Sequence, residues 1–445
     1  MLKTVNEILW GPGTLALLLG TGVFLLFRTS FLPWKNLRFA LRCALGRDAH
    51  RSGRHGVSPF SALMTSLAAT LGTGNIVGVA TALVAGGPGA LVWMELSALL
   101  GLGTIFSESL LAVKYRRKNR AGHWVGGPMY VMEARLGPMG RGMGRLFACF
   151  AAGASLGIGS MTQANAAAAA LHDTLRIPVW LSGLVIAALA LIVILGGIRS
   201  ISSVSSVLVP VMAALYLTAG GAVILRNWTV LPAALLQMLR DAFSFRAAAG
   251  GAAGMFALRW GVARGVFSNE AGLGSTAIAA AAAETDDPVR QAYISMTAPL
   301  FDTVIMCTVT GLAICCSGVL GVTDGASRAV DGAALTILAF ESVLGPIGGY
   351  FVTLAIVFFA FSTILGWEYL GEKAFEFLSG GRFITAYRFL FALAASAGAA
   401  ASMESVFLFS DVCNALMCLP NLTCLLLLSR EVAADIHTYE KKKKL

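Results

Sequence analysis

The sequence predicts an all-α membrane protein with eleven transmembrane helices. Ten form two five-helix halves of opposite orientation, and one is an extra helix at the N-terminus. Three observations predict this. First, 57% of the 445 residues are hydrophobic, 13% are charged and the mean hydropathy is +0.76, too apolar for a soluble domain. Second, apolar runs long enough to cross a hydrocarbon core of roughly 30 Å recur along the whole chain. Third, two of these runs are interrupted, by Leu71-Gly72-Thr73-Gly74-Asn75 and by Phe267-Ser268-Asn269-Glu270-Ala271-Gly272. Lipid offers no hydrogen bonds to free backbone, so unwound segments at membrane depth survive only against protein or a polar cavity.

The expected spans lie near 6–28, 58–84, 88–113, 146–171, 178–198, 203–225, 250–282, 292–317, 345–371, 384–402 and 405–428. The first run, Ile8 to Phe27, is too long for the core of a cleavable signal and lacks a small-residue cleavage site. Lysine and arginine orient the spans. With the N-terminus outside, 25 of the 33 fall on the inner side, six outside and two within a span. This places the C-terminus in the cytoplasm of a multi-pass protein of the cell (inner) membrane. It also explains the +10 net charge through anionic lipid rather than nucleic acid. Trp34 to Leu45 and Leu231 to Phe245 read as interfacial helices, and Lys441 to Lys444 as a solvated run near head groups.

With the first span set aside, the interrupted segments are the first and sixth of ten core helices, and they start on opposite sides. That is the arrangement of an inverted-topology repeat with a site at the midplane, and it points to a secondary transporter. The expected organisation is an N-terminal helix and basic segment (1–56), a first repeat (57–226), a second repeat (227–428) and a basic cytoplasmic tail (429–445). The eight cysteines show no zinc-type spacing, and seven fall in predicted spans as small apolar residues.

Gly72 and Gly74 free the backbone to leave the helix and remove side chains that would block a ligand. The half-helix beginning near Gly74 presents N–H groups and a positive dipole end, suited to a carboxylate. Thr73 and Asn75 add polar side chains there, although close helix packing through small residues has the same signature. In the second break, Ser268, Asn269 and Glu270 are three consecutive polar residues, and the unwound carbonyls near Phe267 suit an ammonium. Glu270 either binds a substrate amine, holds a proton or braces the unwound segment. Gln163 and Asn165 lie in an unusually polar patch of the third core helix, as ligand groups or as interhelical hydrogen bonds. Ser362 and Thr363 suit a hard cation or bond back to their own helix. Trp367, one turn on, caps the cavity or sits at the inner interface.

Arg259 and Arg264 precede the second break as candidates for an outer gate, while Glu95, Glu108, Asp302 and Asp411 are buried charges without an assigned role. Gly153-Ala154-Ser155-Leu156-Gly157 matches a nucleophile-elbow pattern but lies inside a span with no strand before it. The five histidines fall in loops or at span ends, and no phosphate-binding loop occurs. These features argue against an enzyme and against direct ATP drive. An ion channel stays open as a rival, distinguished by conductance without stoichiometric solute flux.

Three segments carry a family resemblance: Leu71-Gly-Thr-Gly-Asn-Ile-Val-Gly78, Gly86-Gly-Pro-Gly-Ala-Leu-Val-Trp-Met-Glu95 and Arg264-Gly-Val-Phe-Ser-Asn-Glu-Ala-Gly-Leu-Gly-Ser275. Together they resemble the alanine or glycine:cation symporter family over essentially the whole chain. The resemblance implies a LeuT-like fold and uptake of a small neutral amino acid, alanine or glycine, driven by sodium or in some members by protons. No organic cofactor is implied. It further implies that the amino acid lies against Gly72, Thr73, Gly74, Asn75, Gln163 and the backbone of Phe267, Ser268, Asn269 and Glu270, closed by Thr363 and Trp367. Sodium would sit between carbonyls near Ala68 and Leu71 and the hydroxyls of Ser362 and Thr363. A transporter of another small solute is the nearest alternative. The oligomeric state is open, a monomer being compatible with the sequence.

Overall fold

The computed structural model describes residues 2–51, 56–244, 253–323 and 327–443. Helix-end signals in the sequence set its elements. Proline, whose missing N–H costs nothing in a first turn, stands at the start of α1 (Pro12–Arg28), α2 (Pro59–Thr70) and several later helices. Ser58 caps α2 by accepting from Ser61 N–H at 3.1 Å. Then follow α3 (Val77–Gly86), α4 (Gly89–Lys114), α5 (Gly137–Ala154), α6 (Thr162–Leu175), α7 (Val179–Leu195), α8 (Gly197–Arg226), α9 (Ala253–Asn269) and α10 (Ser275–Ala281). Later come α11 (Pro288–Ser295), α12 (Thr308–Ser317), α13 (Gly332–Leu344), α14 (Pro346–Ser379), α15 (Ile384–Ala400) and α16 (Met403–Lys443), with short helices also at Leu2–Leu9 and Pro128–Arg135. A two-stranded ribbon, Arg117–Lys118 against Trp124–Val125, is the one β-sheet among the described residues.

Among the described residues, seven helical stretches are long and apolar enough to cross a membrane: Thr4–Arg28, Gly89–Lys114, Gly137–Leu175, Gly197–Arg226, Pro288–Ser317, Pro346–Ser379 and Val406–Lys442. An eighth arises if α2 and the stretch Thr73–Gly86, bent by 59° at their break, count as one span. The helices α7 and α15, 17 residues each, are apolar but shorter. Leu184, Leu189 and Ile192 on α7, and Val207, Val211 and Leu215 on α8, are exposed, as expected of surfaces that face lipid. The chain is a multi-pass helical membrane protein.

Several expectations change in detail. The expected span 146–171 contains a π-helical segment, Ser155–Met161, and the span 292–317 contains another, Leu300–Cys307. Helix α13 was not among the expected spans. The expected tail continues α16 to Lys443, with Val432 and Ile436 fully buried. The interfacial segments are helical over Leu32–Lys35, Leu37–Leu45 and Leu231–Ala242. Residues 250–252 of the seventh expected span, Phe245 of the second interfacial segment and Lys444 of the terminal run lie outside the described residues.

Two large packed cores form among the described residues. One surrounds Phe106, Tyr293 and Trp367; the other surrounds Tyr216, Phe340 and Phe359. The two ends of the molecule differ. At one, which the basic loops share, Val57 N–H donates to Ala282 O at 3.0 Å and Glu284 N–H to Val57 O at 2.7 Å, tying the start of α2 to the chain after α10. Arg116 there donates to the carbonyls of Ala281, Ala283 and Thr285. At the other end a cavity of about 640 Å³ opens between Asp173, Asp331, Arg264 and Phe407 and descends to Thr73, Gly74 and Phe267.

Candidate functional site

The first break begins where α2 stops at Leu71. Its last turn is satisfied by Leu71 N–H to Leu67 O at 2.7 Å and Gly72 N–H to Thr70 O at 2.8 Å. A single turn, Thr73–Asn75, follows before α3. Gly72 is required by crowding rather than by a positive φ: a Cβ there would collide with Thr363 Oγ1 and lie 3.2 Å from Gln163 Oε1. A Cβ on Gly74 would come within 3.1 Å of the Phe267 ring. Both glycines therefore mark close approach of backbone to neighbouring side chains.

Gln163 spans two features. Its Oε1 accepts from Thr73 N–H at 3.1 Å and Thr73 Oγ1 at 2.9 Å. Its Nε2 donates to Ile158 O at 3.0 Å, a carbonyl of the π-helical segment that also accepts from Thr162 Oγ1 at 2.7 Å. The widened turn thus frees a carbonyl that orients the glutamine toward the break.

Asn75 braces the break from within. Its Oδ1 accepts Gly72 N–H at 3.1 Å, and its Nδ2 donates to Asp302 Oδ1 at 2.7 Å, Asp302 O at 3.0 Å and Ser268 Oγ at 3.2 Å. Ser268 Oγ donates to Asp302 Oδ2 at 2.8 Å, and Thr303 Oγ1 to the same oxygen at 2.9 Å. The two breaks are therefore joined through Asp302, a fully buried carboxyl in the second π-helical segment. Asp302 had no expected role. The side chain of Asn75, expected as a ligand group, is committed to this network, and so is that of Ser268, where the backbone was the expected ligand.

The second break follows α9, which stays helical through Phe267, Ser268 and Asn269, so the unwound stretch is 270–274 rather than beginning at Phe267 as expected. Glu270 takes a left-handed φ of 56°, an unfavourable conformation for a residue with a side chain. Its carboxyl accepts from Ser275 Oγ and faces Trp367. Asn269 Oδ1 accepts Ala271 N–H at 3.0 Å, while its Nδ2 is buried with no partner. Asn421 Nδ2 joins Gly272 O at 2.9 Å to Glu108 Oε1 at 2.6 Å, a second clamp on the unwound chain. The last turn of α9 thus lies against the Thr73–Asn75 turn that leads into α3, a Cβ on Gly74 being 3.8 Å from Ser268 Cα, so two helix ends of opposite polarity come together there.

Beside them, four neutral oxygens gather. Thr363 Oγ1 donates to Ala68 O at 3.1 Å, and Ser362 Oγ to Leu71 O at 3.3 Å and to Phe359 O of its own helix at 2.9 Å. Gly366 allows the approach, since a Cβ there would lie 2.7 Å from Ala69 Cα. Carbonyl and hydroxyl oxygens are the donors a hard cation takes. Trp367 is buried, packed so closely on the π-helical segment that a Cβ at Gly159 would sit 2.7 Å from its Cγ.

Other candidates resolve differently. Asn165 Nδ2 donates to the carbonyls of Gly398, Ala399 and Ala401 at 2.9–3.1 Å, capping the end of α15 rather than facing the breaks. Of the two arginines, Arg264 lies over Phe267 and Phe407 at 5.5 and 5.7 Å, in the wall of the cavity that descends to Thr73, and faces Asp411. Arg259 lines a separate crevice with Glu7 and Trp10. Ser155 is bonded to Ala152 O at 2.7 Å and to the Tyr387 hydroxyl at 2.6 Å, with no histidine partner. Sequence reasoning passed over Glu368, fully buried with neither carboxyl oxygen partnered, and the Glu372–Lys373–Glu376–Arg388 ion cluster beyond it. Their charges inside a long apolar run were the available signal.

The profile of the sodium:alanine symporter family matches residues 1–445. The chain belongs to that family. Its members are transporters, not enzymes. The sodium/alanine symporter AgcS of Methanococcus maripaludis is 45% identical over 449 residues, covering 100% of this chain and 98% of the relative. The amino-acid carrier protein AlsT of Bacillus subtilis is 32% identical, covering 96% and 89%. Among solved structures, MhsT in complex with L-phenylalanine superposes with a TM-score of 0.59 at 12% identity, over 87% of this chain and 99% of that one. At that identity the likeness speaks for the fold alone, which is LeuT-like.

Proposed function

We propose that this member of the family imports a small neutral amino acid, alanine or glycine, together with sodium by alternating access. The observation that carries the reading is the meeting of two helix ends of opposite polarity beside four neutral oxygens. A zwitterion suits the first feature: its carboxylate would face the N–H groups and hydroxyl around Thr73 and Gly74, and its ammonium the carbonyls of Phe267 to Asn269. Gln163, whose amide oxygen already accepts from Thr73 twice, would switch partners as the carboxylate arrives, and Trp367 would bound the site from α14. Sodium suits the second feature, held by Ala68 O, Leu71 O, Ser362 Oγ and Thr363 Oγ1 in place of the hydrogen bonds among them.

In this reading sodium fastens the first break to α14 and thereby completes the amino-acid site. The chain then spans the inner membrane eleven times, with the N-terminus outside and two inverted repeats at 57–226 and 227–428. Helices α7 and α15, at about 1.5 Å per residue, cross with little to spare. The broken core helices are α2–α3 and α9–α10. The cavity above Thr73 faces outward, and the Arg116 clamp closes the cytoplasmic side. Rocking of the broken helices with their neighbours would exchange the two.

Uptake of radiolabelled alanine into proteoliposomes, with and without an inward sodium gradient, tests the proposal. Accumulation that requires the gradient is the expected result. Uptake that persists unchanged when choline replaces sodium would overturn sodium coupling, and failure of alanine and glycine alike would overturn the substrate.

A further inference from the structure

Away from the breaks, a second cavity of about 480 Å³ opens at the Arg116 end of the molecule. It lies between the Arg117–Val125 ribbon, the last turns of α14 and the start of α15. Five cations line it, Arg117, Lys118, Arg120, Lys373 and Arg388, against two carboxylates, Glu372 and Glu376. The carboxylates are already engaged: Lys373 Nζ lies 2.9 Å from Glu372 and 2.6 Å from Glu376, and Arg388 Nε 2.7 Å from Glu372. Arg117 reaches outside the cavity to Glu133 at 2.7 Å. Lys118 and Arg120 have no carboxylate partner among the described residues. Lys118 is held over the Trp124 ring at 5.0 Å rather than left to trail in solvent. A concave site with surplus positive charge and preset cations is built for an anion.

The surroundings say which kind. Ile384 at the cavity wall begins α15, and Leu390 and Leu393 lie exposed on the next turns of that helix. On the other side Arg388 Nη1 donates to Leu195 O at 3.2 Å, bringing the exposed Ile192 and Leu195 of α7 alongside. A free anion has no use for this apolar track, whereas a lipid needs both parts. Basic pockets between spanning helices on the cytoplasmic side are suited to anionic head groups.

We propose that this cavity binds the phosphate head group of an anionic membrane phospholipid, with Lys118 and Arg120 contacting the phosphate and the acyl chains lying along α15 and α7. The proposal rests on the orientation proposed above, with the Arg116 end cytoplasmic, and stands whether or not the transported solute is alanine. The cavity is formed partly by the cytoplasmic half of α14, the helix that carries Ser362 and Thr363. A bound lipid therefore holds the end of that helix.

Native mass spectrometry of the full-length protein tests this, after exposure to phosphatidylglycerol, phosphatidylcholine or inorganic phosphate. The proposal expects phosphatidylglycerol to be retained, and the double variant Lys118→Ala/Arg120→Ala to weaken retention roughly thirtyfold, about the attraction of two basic residues. A control variant, Lys441→Ala/Lys442→Ala, removes the same charge from the tail and should retain lipid as the unaltered protein does. Both variants alter exposed side chains, and matching elution on size exclusion checks that they fold. Equal loss in both variants, or no loss in either, overturns the site. Displacement of the lipid by millimolar inorganic phosphate would show a free-anion site and overturn the lipid assignment.

Discussion

Thr363 occupies two roles that a single substitution can separate. Its hydroxyl reaches Ala68 O, and the same atom is what a Cβ on Gly72 would strike. Thr363→Ala removes one oxygen of the proposed cation set without adding bulk. The sodium concentration giving half-maximal alanine uptake should rise roughly ten- to hundredfold, the range for losing a polar contact to a charge. Thr363→Ser keeps the oxygen and should stay within a fewfold of the unaltered protein. Gln163→Ala instead leaves Thr73 N–H and its hydroxyl without their acceptor. It should raise the alanine concentration needed by about tenfold while moving the sodium dependence less. Sodium and alanine titrations of uptake on the three variants check both. If Thr363→Ser fails as badly as Thr363→Ala, the hydroxyl is not what matters.

At the scale of elements, the sequence made some features legible and hid others for identifiable reasons. The breaks were legible because Gly-Thr-Gly-Asn and Ser-Asn-Glu stand out within apolar runs. What they pair with was not. Asn75 and Asp302 meet across 227 residues, and Arg116 and Ala281 across 165, so no local pattern announces either contact. Asn165 shows the converse: of the two roles open to it in the sequence, ligand group or interhelical hydrogen bond, it takes the second, as a helix cap for α15. The π-helical segments leave no period in a run of small residues, yet one of them orients Gln163. Arg116 supplies the element-scale prediction. Burial lowers its guanidinium below the usual arginine range, though three carbonyls hold it in place. Replacing it with glutamine removes the clamp over the end of α10 and should favour the state open at that end. A cysteine introduced by Ala281→Cys, fully buried in the present arrangement, should then react faster with a thiol reagent in the Arg116→Gln background. Because Cys149 is exposed, it is first replaced by serine. Unchanged labelling would mean the backbone bridge through Val57 alone keeps that end shut.

For the whole molecule, helix content and the multi-pass character follow from composition, whereas the number of crossings depends on short helices such as α7 and α15 that hydropathy alone leaves marginal. The energetics depend less on that count than on charge. An alanine zwitterion carries no net charge, so transport with one sodium moves one elementary charge inward. A potential of about 100 mV, negative inside, then contributes roughly 2.3 kcal/mol, or about fiftyfold in accumulation, before any sodium gradient is counted. The coupling must also be reciprocal: the factor by which sodium tightens alanine binding equals the factor by which alanine tightens sodium binding. Both follow if the cation, at Ser362 and Thr363, and the amino acid, at Gln163, hold the first break in the same state. Proteoliposomes with equal sodium on both sides and a potassium diffusion potential set by valinomycin isolate the electrical part. Alanine should accumulate with the inside negative and not when the potential is clamped at zero. Voltage-independent exchange under these conditions would mean that a compensating charge moves with the cycle, and would place a second ion or a counter-transported proton among the ligands of the site.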